Sequence, residues 1–347
     1  MKTFLLSLSL LTFYSCLAQQ PAPPEATTDP RAERMLLYQR DNGGWPQYDG
    51  DATDYTSELA TQEATTVRQD KDEDDATLDD HTTTREIRYL MQAYTDTGNP
   101  AYRAAAEAGM DYLFRAQYPG GGWPQQYPDT SSYHGHITYN DKAMMDVMNL
   151  LFDASRGDEP FSSLGPDLRA RADSAVQRGI ACILATQYVD QDGRLTAWGA
   201  QHDRRTLAPA PARKFEPASI SGSESAGIVR FLMDIPDPDE RVRRAVRAAV
   251  HFLDSVSIEG YRVDDIDDPD QPSGHDRIVV ADPGSTVWAR FYELGTFRPI
   301  FIGRDAIIRY QLSAIENERR VGYSFYGTWP DKVIHKEYPK WEKSLEP

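Results

Sequence analysis

The sequence predicts an all-α fold, a toroid of repeated helical hairpins with long functional loops and little strand. The first observation is a five-residue string, Gly-Gly-Trp-Pro-Gln, that occurs at residues 43–47 and again at 121–125, 78 residues apart. The second is that each copy follows an apolar stretch with helical spacing. Because such units are typical of repeated helical hairpins, the loops are expected to cluster on one rim.

Two weaker copies extend the repeat at intervals of 70 residues. Gln187 ends an apolar helix pattern that leads through a turn at Gly193 to Trp198. A fainter fourth copy ends near Ser257 and continues into Gly260. An open solenoid is the alternative architecture, but its repeats are usually shorter.

Helical segments follow from apolar residues at a spacing of about 3.6 residues. The pattern places them at residues 32–40, 82–95, 102–116, 141–154, 168–185, 223–233, 241–256 and 288–292. Only residues 277–280 alternate like a short strand. The count is therefore predominantly helical.

The chain divides into three parts. Residues 1–18 have the pattern of a secretory signal peptide, with Lys2 before a short apolar run and a small residue at the cut. In an alternative interpretation, Cys16 is the lipidated first residue of a bacterial lipoprotein. The proline-rich residues 19–30 predict a flexible leader, and residues 31–347 a single toroid domain. The protein is therefore expected to be secreted or periplasmic.

The charge balance limits the partners. A net charge of −17 argues against nucleic acid or an anionic membrane as the main partner, but it permits a cation. No apolar run after the leader is long enough for a transmembrane segment. We expect a monomer.

Two polar segments precede predicted helices. Residues 79–84 form a run of six polar side chains, more than helix capping needs, and the adjacent carboxylates of Asp79 and Asp80 suit a hard cation such as calcium. Residues 133–141 end in Asp141, for which a simple helix cap is the alternative. A zinc pair of His134 and His136 is only weakly indicated. If the hairpins are related by rotation, the two acidic segments converge.

A third polar segment is the long loop at residues 198–225, and long loops of this kind are commonly functional. It holds His202, Asp203 and Ser223, but the Gly-x-Ser-x-Gly turn of a serine hydrolase is absent from the sequence around Ser223.

Several ordered segments together resemble one family. They are Leu78-Asp79-Asp80 with Thr82-Thr83-Thr84, Ile137-Thr138-Tyr139-Asn140-Asp141, Ala200-Gln201-His202-Asp203, Pro209-Ala210-Pro211-Ala212-Arg213, Ser221-Gly222-Ser223-Glu224-Ser225, Trp288-Ala289-Arg290-Phe291-Tyr292-Glu293 and Arg298-Pro299-Ile300-Phe301. With them the chain resembles the pectate lyases of polysaccharide lyase family ten over nearly the whole mature protein. The resemblance implies an (α/α) toroid, and calcium-dependent cleavage of de-esterified homogalacturonan (polygalacturonate) by β-elimination.

The resemblance also implies roles for single residues. Those it assigns to calcium are Asp79, Asp80 and Asp141. Arg213 corresponds to the base that removes the C5 proton, which calcium acidifies, and an arginine base predicts an alkaline optimum. The substrate-binding residues are Arg230, Arg290, Arg304 and Asp79.

The chain departs from the family pattern at three points. Asp80 stands where the family usually has Asn, the loop after it is one residue short, and Arg230 replaces Lys. A guanidinium fork and an ammonium group bind carboxylates differently, so we expect a shift in subsite preference with activity retained.

Structural alternatives remain for the arginines, and functional ones for the protein. Arg213 has an ion-pair candidate in Glu216, and Arg290 has one in Glu293. A glycoside hydrolase with paired carboxylates among Asp79, Asp141 and Asp203 is the runner-up function. A non-catalytic carbohydrate-binding protein is the third, with Trp45, Trp123 and Trp198 as its contacts.

Overall fold

The computed structural model describes residues 27–48 and 50–346. The predicted signal peptide, the alternative lipidation at Cys16 and most of the predicted leader lie outside these ranges. The helical part begins with Asp29, whose carboxylate accepts hydrogen bonds of 2.8 and 2.9 Å from the N–H groups of Arg31 and Ala32. This contact caps the first helix. The single domain over residues 31–347 stays a prediction.

Most helices of the described residues follow the predicted segments, but those at residues 61–69, 317–322 and 338–344 were not predicted. They are α1 (Pro30–Tyr38), α2 (Thr61–Gln69), α3 (Thr84–Thr97), α4 (Pro100–Ala116), α5 (Ala143–Arg156), α6 (Pro166–Thr186), α7 (Gly222–Met233), α8 (Glu240–Ser255), α9 (Asn317–Gly322) and α10 (Tyr338–Ser344).

Strands are what the predicted fold class missed. The described residues form several small antiparallel sheets, so the prediction of an all-α fold with little strand is wrong. The described strands are β1 (Ile137–Thr138), β2 (Gln201–His202), β3 (Ile220–Ser221), β4 (Ile258–Asp267), β5 (His275–Ala289), β6 (Phe291–Tyr292), β7 (Phe301–Ile302), β8 (Ile308–Arg309) and β9 (Tyr326–Gly327). Residues 288–292, predicted as helix, belong to β5 and β6.

The short strand predicted at residues 277–280 lies within β5. The rest of the long β4–β5 hairpin escaped prediction because charged residues occupy both faces of its strands. Asp264 and Asp265 are neighbours in β4, as Asp276 and Arg277 are in β5. They are paired in the fold: Arg277 donates to Asp265 at 2.6 Å, and Asp276 accepts from Arg320 of α9 at 2.8 Å. The charges therefore hide the alternation that normally indicates a strand.

Consecutive helices pack as pairs, α3 with α4, α5 with α6 and α7 with α8. The first members of these pairs also contact one another in order, α3 with α5 and α5 with α7. The N-terminal ends of α3 and α5, with the polar segments before them, are thereby brought together. Within residues 27–48 and 50–346, no helix is long and apolar enough to cross a bilayer.

Four buried tryptophans follow the ends of four helices, and we call the segments that carry them the tryptophan loops. They are Trp45, Trp123, Trp198 and Trp288, each with no exposed surface. Each indole N–H donates to a carbonyl in the last turn of the preceding helix. The acceptors are Met35, Leu113, Ile183 and Leu253, at 2.8, 2.8, 2.8 and 2.7 Å. The last carbonyls of a helix lack part of their helical hydrogen bonding, and each indole adds a hydrogen bond there.

The fourth repeat is therefore real, but its tryptophan was not recognised in the sequence. The β4–β5 hairpin lies between the end of α8 and Trp288 and places this residue far outside the 70-residue spacing. The predicted loop at Gly260 is instead part of β4.

The glycines of the repeated string are required by close packing against α4 and α6. Gly43 and Gly121 have φ angles of 88° and 95°. A Cβ on Gly43 would lie 2.4 Å from the carbonyl oxygen of Ala108, and one on Gly121 would lie 2.0 Å from that of Arg178. Only glycine combines this backbone conformation with this approach.

Candidate active site

Two short acidic turns meet at the N-terminal ends of α3 and α5. The acidic turns are residues 79–81 and 140–142, and they contact each other. Asp80 (φ 45°, ψ 46°) and Asp141 (φ 48°, ψ 26°) hold equivalent left-handed conformations in the two turns. Such a conformation costs a residue other than glycine about 1–3 kcal/mol and is concentrated at functional sites. The predicted convergence of the two acidic segments is therefore present.

The meeting of these turns crowds negative charge. Burial raises the pKa of Asp79, a 2.6 Å hydrogen bond from Gln125 opposes the rise, and repulsion from Asp80 adds to it. Asp141 is exposed to a cleft, but the cleft walls remove part of its hydration. This desolvation, with repulsion from Asp79, raises the pKa of Asp141 to about 6, against the opposing attraction of Arg290.

Arg290 forms the wall opposite the acidic turns. Its Nη2 donates at 3.0 Å to both Asn140 and the buried Glu224, and its guanidinium carbon lies 5.0 Å from the centre of the Tyr323 ring. Burial disfavours the charged guanidinium, but Glu224, Tyr323 and Asp141 outweigh it and raise the pKa of Arg290. The partner of Arg290 is thus Glu224, which was not among the predicted site residues, and the i+3 carboxylate considered from the sequence does not pair with it.

The predicted residues lie in two adjoining groups. A cavity of about 880 Å³ is lined by Asp80, Asp141, Arg230 and Arg290, with Asp79 directly behind Asp80 in the same acidic turn. Arg230 also donates to Glu337 at 2.7 Å. The arginines of this group can pair with the carboxylates of an anionic chain that lies in the cavity.

The second group surrounds the ring of Phe215. Arg213 and Arg304 have their guanidinium carbons 5.4 and 4.7 Å from its centre. Arg213 donates to Glu216 through Nε at 2.8 Å and through Nη2 at 2.5 Å, which is the ion pair considered from the sequence. Glu216 raises the pKa of Arg213 far above its usual range, although burial opposes this. Arg304 pairs with Glu318 at 2.7 Å on the surface.

The repeated string contributes to the site through its last residue. Gln125 bonds to Asp79, and Gln47, at the same position of the first copy, donates to Asp80 at 3.3 Å. The tryptophan of each copy is scaffold, whereas the glutamine reaches an acidic turn. The repeat itself was the signal that could have identified both glutamines.

The donor set fits a hard cation. The carboxylates of Asp79, Asp80 and Asp141 are oxygen ligands of the kind calcium prefers. The pKa values of Asp79 and Asp141 are raised, so a positive charge between these carboxylates would reduce their mutual repulsion. Among the described residues, no three His, Cys, Asp or Glu side chains have the spacing of a preformed metal centre. A cation here would take its remaining ligands from water or from an anionic substrate.

His202 has a structural role. It has no exposed surface, and its Nε2 accepts a 3.0 Å hydrogen bond from the N–H of Gly199. Its Nδ1 lies 2.9 Å from the carbonyl oxygen of Leu207, so Nδ1 carries the proton and the ring is neutral. Burial lowers the pKa of His202 to about 4.

Comparison with known proteins defines the class. A family 10 polysaccharide lyase from Cellvibrio cellulosa matches with a TM-score of 0.78 and 34% identity, covering 89% of this chain and 91% of that one. A mutant of the Cellvibrio cellulosa family 10 lyase, solved in complex with trigalacturonic acid, matches with a TM-score of 0.76 and 33% identity, over 89% and 92% of the two chains. No significant match to a curated protein is found. The protein is a polysaccharide lyase.

The family follows from the sequence as a whole. Residues 39–334 match the family model described as pectic acid lyase. This match covers well over half of the chain, and it includes both acidic turns and the arginines opposite them. The chain belongs to the pectic acid lyase family, which decides against the glycoside hydrolase and the non-catalytic carbohydrate-binding protein.

Proposed function

We propose that this lyase cleaves de-esterified homogalacturonan by calcium-dependent β-elimination. The observation that carries the proposal is the meeting of the two acidic turns opposite Arg290, in a chain 34% identical to a family 10 lyase. The trigalacturonic acid held by the second solved structure supports a uronate substrate. The carboxylates of such a substrate match a cavity lined by Arg230 and Arg290.

Calcium would be held by Asp79, Asp80 and Asp141. When bound, it would neutralise the uronate carboxylate and stabilise the negative charge that develops when the C5 proton leaves. Arg230 and Arg290 orient neighbouring carboxylates, and Arg304 extends this binding beside Phe215. Asp79 also contacts the substrate.

Arg213 is the proposed base. It takes the proton from C5, the C5–H electron pair forms the C4–C5 double bond, and the C4–O bond breaks with its electrons going to the leaving sugar oxygen, which then gains a proton. Only a neutral guanidinium can accept the proton, so the step requires release of Arg213 from Glu216 and is favoured by high pH.

Export remains part of the proposal. Residues 1–18 carry the signal-peptide pattern, and a polymeric pectic substrate lies outside the cell. Sequencing the N-terminus of protein recovered from a producing bacterium tests it. A mature chain that begins after Ala18 supports secretion, a lipidated Cys16 supports the anchored form, and an intact Met1 excludes both.

One assay tests the reaction. Purified protein is incubated with polygalacturonate and calcium, the ultraviolet absorbance of the 4,5-unsaturated product is followed, and EDTA is then added. Absorbance that rises and stops on chelation is expected. New reducing ends without this absorbance would indicate hydrolysis, and a rate unchanged by EDTA would contradict the proposed requirement for calcium. Fully methyl-esterified polygalacturonate is the control and should stay uncleaved, because its carboxylates are masked.

A further inference from the structure

A buried arginine that forms no ion pair with any described residue lies near the proposed base, beside the same Phe215 ring. Arg319, in α9, is only 4% exposed. Its Nε and Nη2 are sealed from solvent and have no hydrogen-bond partner among the described residues. Burying a charge without a partner costs free energy, so such a residue requires an explanation.

The next residue shows that the same helix can pair a buried arginine. Arg320 is 8% exposed, and its Nε and Nη2 each donate to Asp276 at 2.8 Å. Its Nη1 donates to the carbonyl oxygen of Ile315 at 2.6 Å. Arg320 therefore has the contacts of a structural arginine, and Arg319 does not.

Arg319 is held instead by aromatic faces. Its guanidinium carbon lies 4.7, 4.0 and 5.3 Å from the ring centres of Phe215, Tyr323 and Phe325. Contacts of this kind partly offset the lost hydration and keep the side chain in place. The guanidinium is thus fixed in position while its charge stays uncompensated by a hydrogen-bonded carboxylate.

The positive charge of Arg319 lies close to Arg213. Arg213, Arg304 and Arg319 all have their guanidinium carbons within 5.4 Å of the centre of the Phe215 ring. Arg213 and Arg319 are therefore at most roughly 10 Å apart, a range in which like charges repel appreciably in a partly buried site. Burial lowers the pKa of Arg319, Tyr323 and Glu216 oppose this, and repulsion from Arg304 and Arg213 adds to the lowering.

We propose that Arg319 is a positioning residue whose fixed positive charge disfavours the protonated form of Arg213. This inference rests on the proposed function of Arg213 as base. The effect of Arg319 on Arg213 opposes that of Glu216, the buried carboxylate that favours the charged form of Arg213. Because little of Arg319 reaches the surface, it acts through Arg213 and not by binding the substrate.

Other titratable or charged groups also lie near Arg213 and influence its protonation. They are Glu216 in its own loop, Tyr133 and His134 from the turn before β1, Tyr323 after α9, and Arg304 after β7. Arg319 differs from them in combining a positive charge with burial.

The test compares pH–rate profiles of wild type, Arg319→Met and Arg319→Lys on polygalacturonate with saturating calcium. Arg319→Met keeps the bulk against the rings and removes the charge, so the kinetic pKa of the alkaline-activated limb should rise by about one unit. Below that pKa, kcat should fall about tenfold with KM unchanged. Arg319→Lys keeps the charge and should restore the wild-type limb.

Arg320→Met is the control for loss of a structural arginine from the same helix. It should lower the melting temperature and leave the kinetic pKa unchanged. If Arg319→Met does not fold, Arg319→Gln, neutral but polar, takes its place in the same comparison. The inference would be overturned if the neutral variant had the same kinetic pKa as wild type, whether or not its KM were raised.

The underlying base assignment is tested separately. If wild type cleaves and Arg213→Ala is equally active, the proposed role of Arg213 fails before Arg319 is considered. If Arg213→Ala is inactive and the neutral Arg319 variant keeps the wild-type limb, only the role of Arg319 fails.

Discussion

The tryptophan loops and the acidic turns lie in the same repeating helical units, yet they treat polar groups in opposite ways. Each indole N–H meets a helix-end carbonyl at 2.7 or 2.8 Å, with the ring completely buried. In the acidic turns, Asp80 and Asp141 hold left-handed backbone, and burial and mutual repulsion raise the pKa values of Asp79 and Asp141. The loops stabilise the fold, and the turns keep unrelieved charge for a cation and an anionic substrate.

The largest expected effect comes from the base. Arg213→Ala should lower kcat by about 10²–10⁴-fold, the range for loss of a positioned proton acceptor. The melting temperature should also fall, because the buried carboxylate of Glu216 loses its ion-pair partner, so kcat is measured well below the unfolding transition. Lys214→Ala, at the exposed neighbouring position, is the matched control and should keep wild-type activity. Comparable losses in both variants would contradict the assignment.

The second effect falls on the scaffold. Trp123→Ala should lower the free energy of unfolding by about 3–5 kcal/mol, because it opens a cavity and leaves the Leu113 carbonyl unpaired. Trp329→Ala, at a partly buried tryptophan lining the cavity, should cost less stability and change KM more. Urea unfolding and steady-state kinetics measure both. If Trp329→Ala proved the more destabilising, the tryptophan loops would not be the scaffold described above.

A third prediction concerns acid stability through the buried His202. Its folded pKa of about 4 lies below the ordinary value of 6.5, so the unfolded chain binds a proton that the folded chain refuses. Stability is therefore lost as the pH falls from 6.5 towards 4, by about 3 kcal/mol. Urea titrations at pH 7 and pH 4.5 should show a smaller difference in His202→Gln than in wild type. An equal difference would mean that His202 is not the neutral group inferred from its contacts.

A smaller effect of opposite sign is expected at Asp141. Its raised pKa means that the folded protein loses stability as the pH rises through about 6. In the calcium-free protein at pH 7, Asp141→Asn should therefore raise the free energy of unfolding by about 1 kcal/mol, a value reduced by the exposure of the side chain. The same variant should have little lyase activity. Thermal melts of wild type and Asp141→Asn in EDTA at pH 7 and pH 4 test the sign, and a variant that melts below wild type at pH 7 would refute it.

The smallest effect is expected at Arg304. Arg304→Ala removes a surface ion pair with Glu318, so the free energy of unfolding should change little. KM for polygalacturonate should rise severalfold with kcat nearly unchanged, since the proposed contact is to the substrate carboxylate. A fall in kcat at constant KM would place Arg304 in the chemical step instead.

The same contrast explains what could be predicted from the sequence. The helix pairs were accessible because their apolar spacing is local, and the acidic turns because Asp79, Asp80 and Asp141 each precede a helix. The contact of Glu224 with Arg290 could not be assigned, since it depends on which loops meet in space. Most of the β4–β5 hairpin was missed because its charged strands follow neither period, and with it Trp288, the fourth tryptophan of the repeat.

The most direct test of the account is the mass of the products formed from trigalacturonate in calcium-containing buffer. Elimination divides the substrate without adding water, so the masses of each product pair should sum to that of the intact trimer, with one member unsaturated. Product pairs heavier by one water, none of them unsaturated, would contradict the lyase reaction and the roles given to Arg213 and the acidic turns.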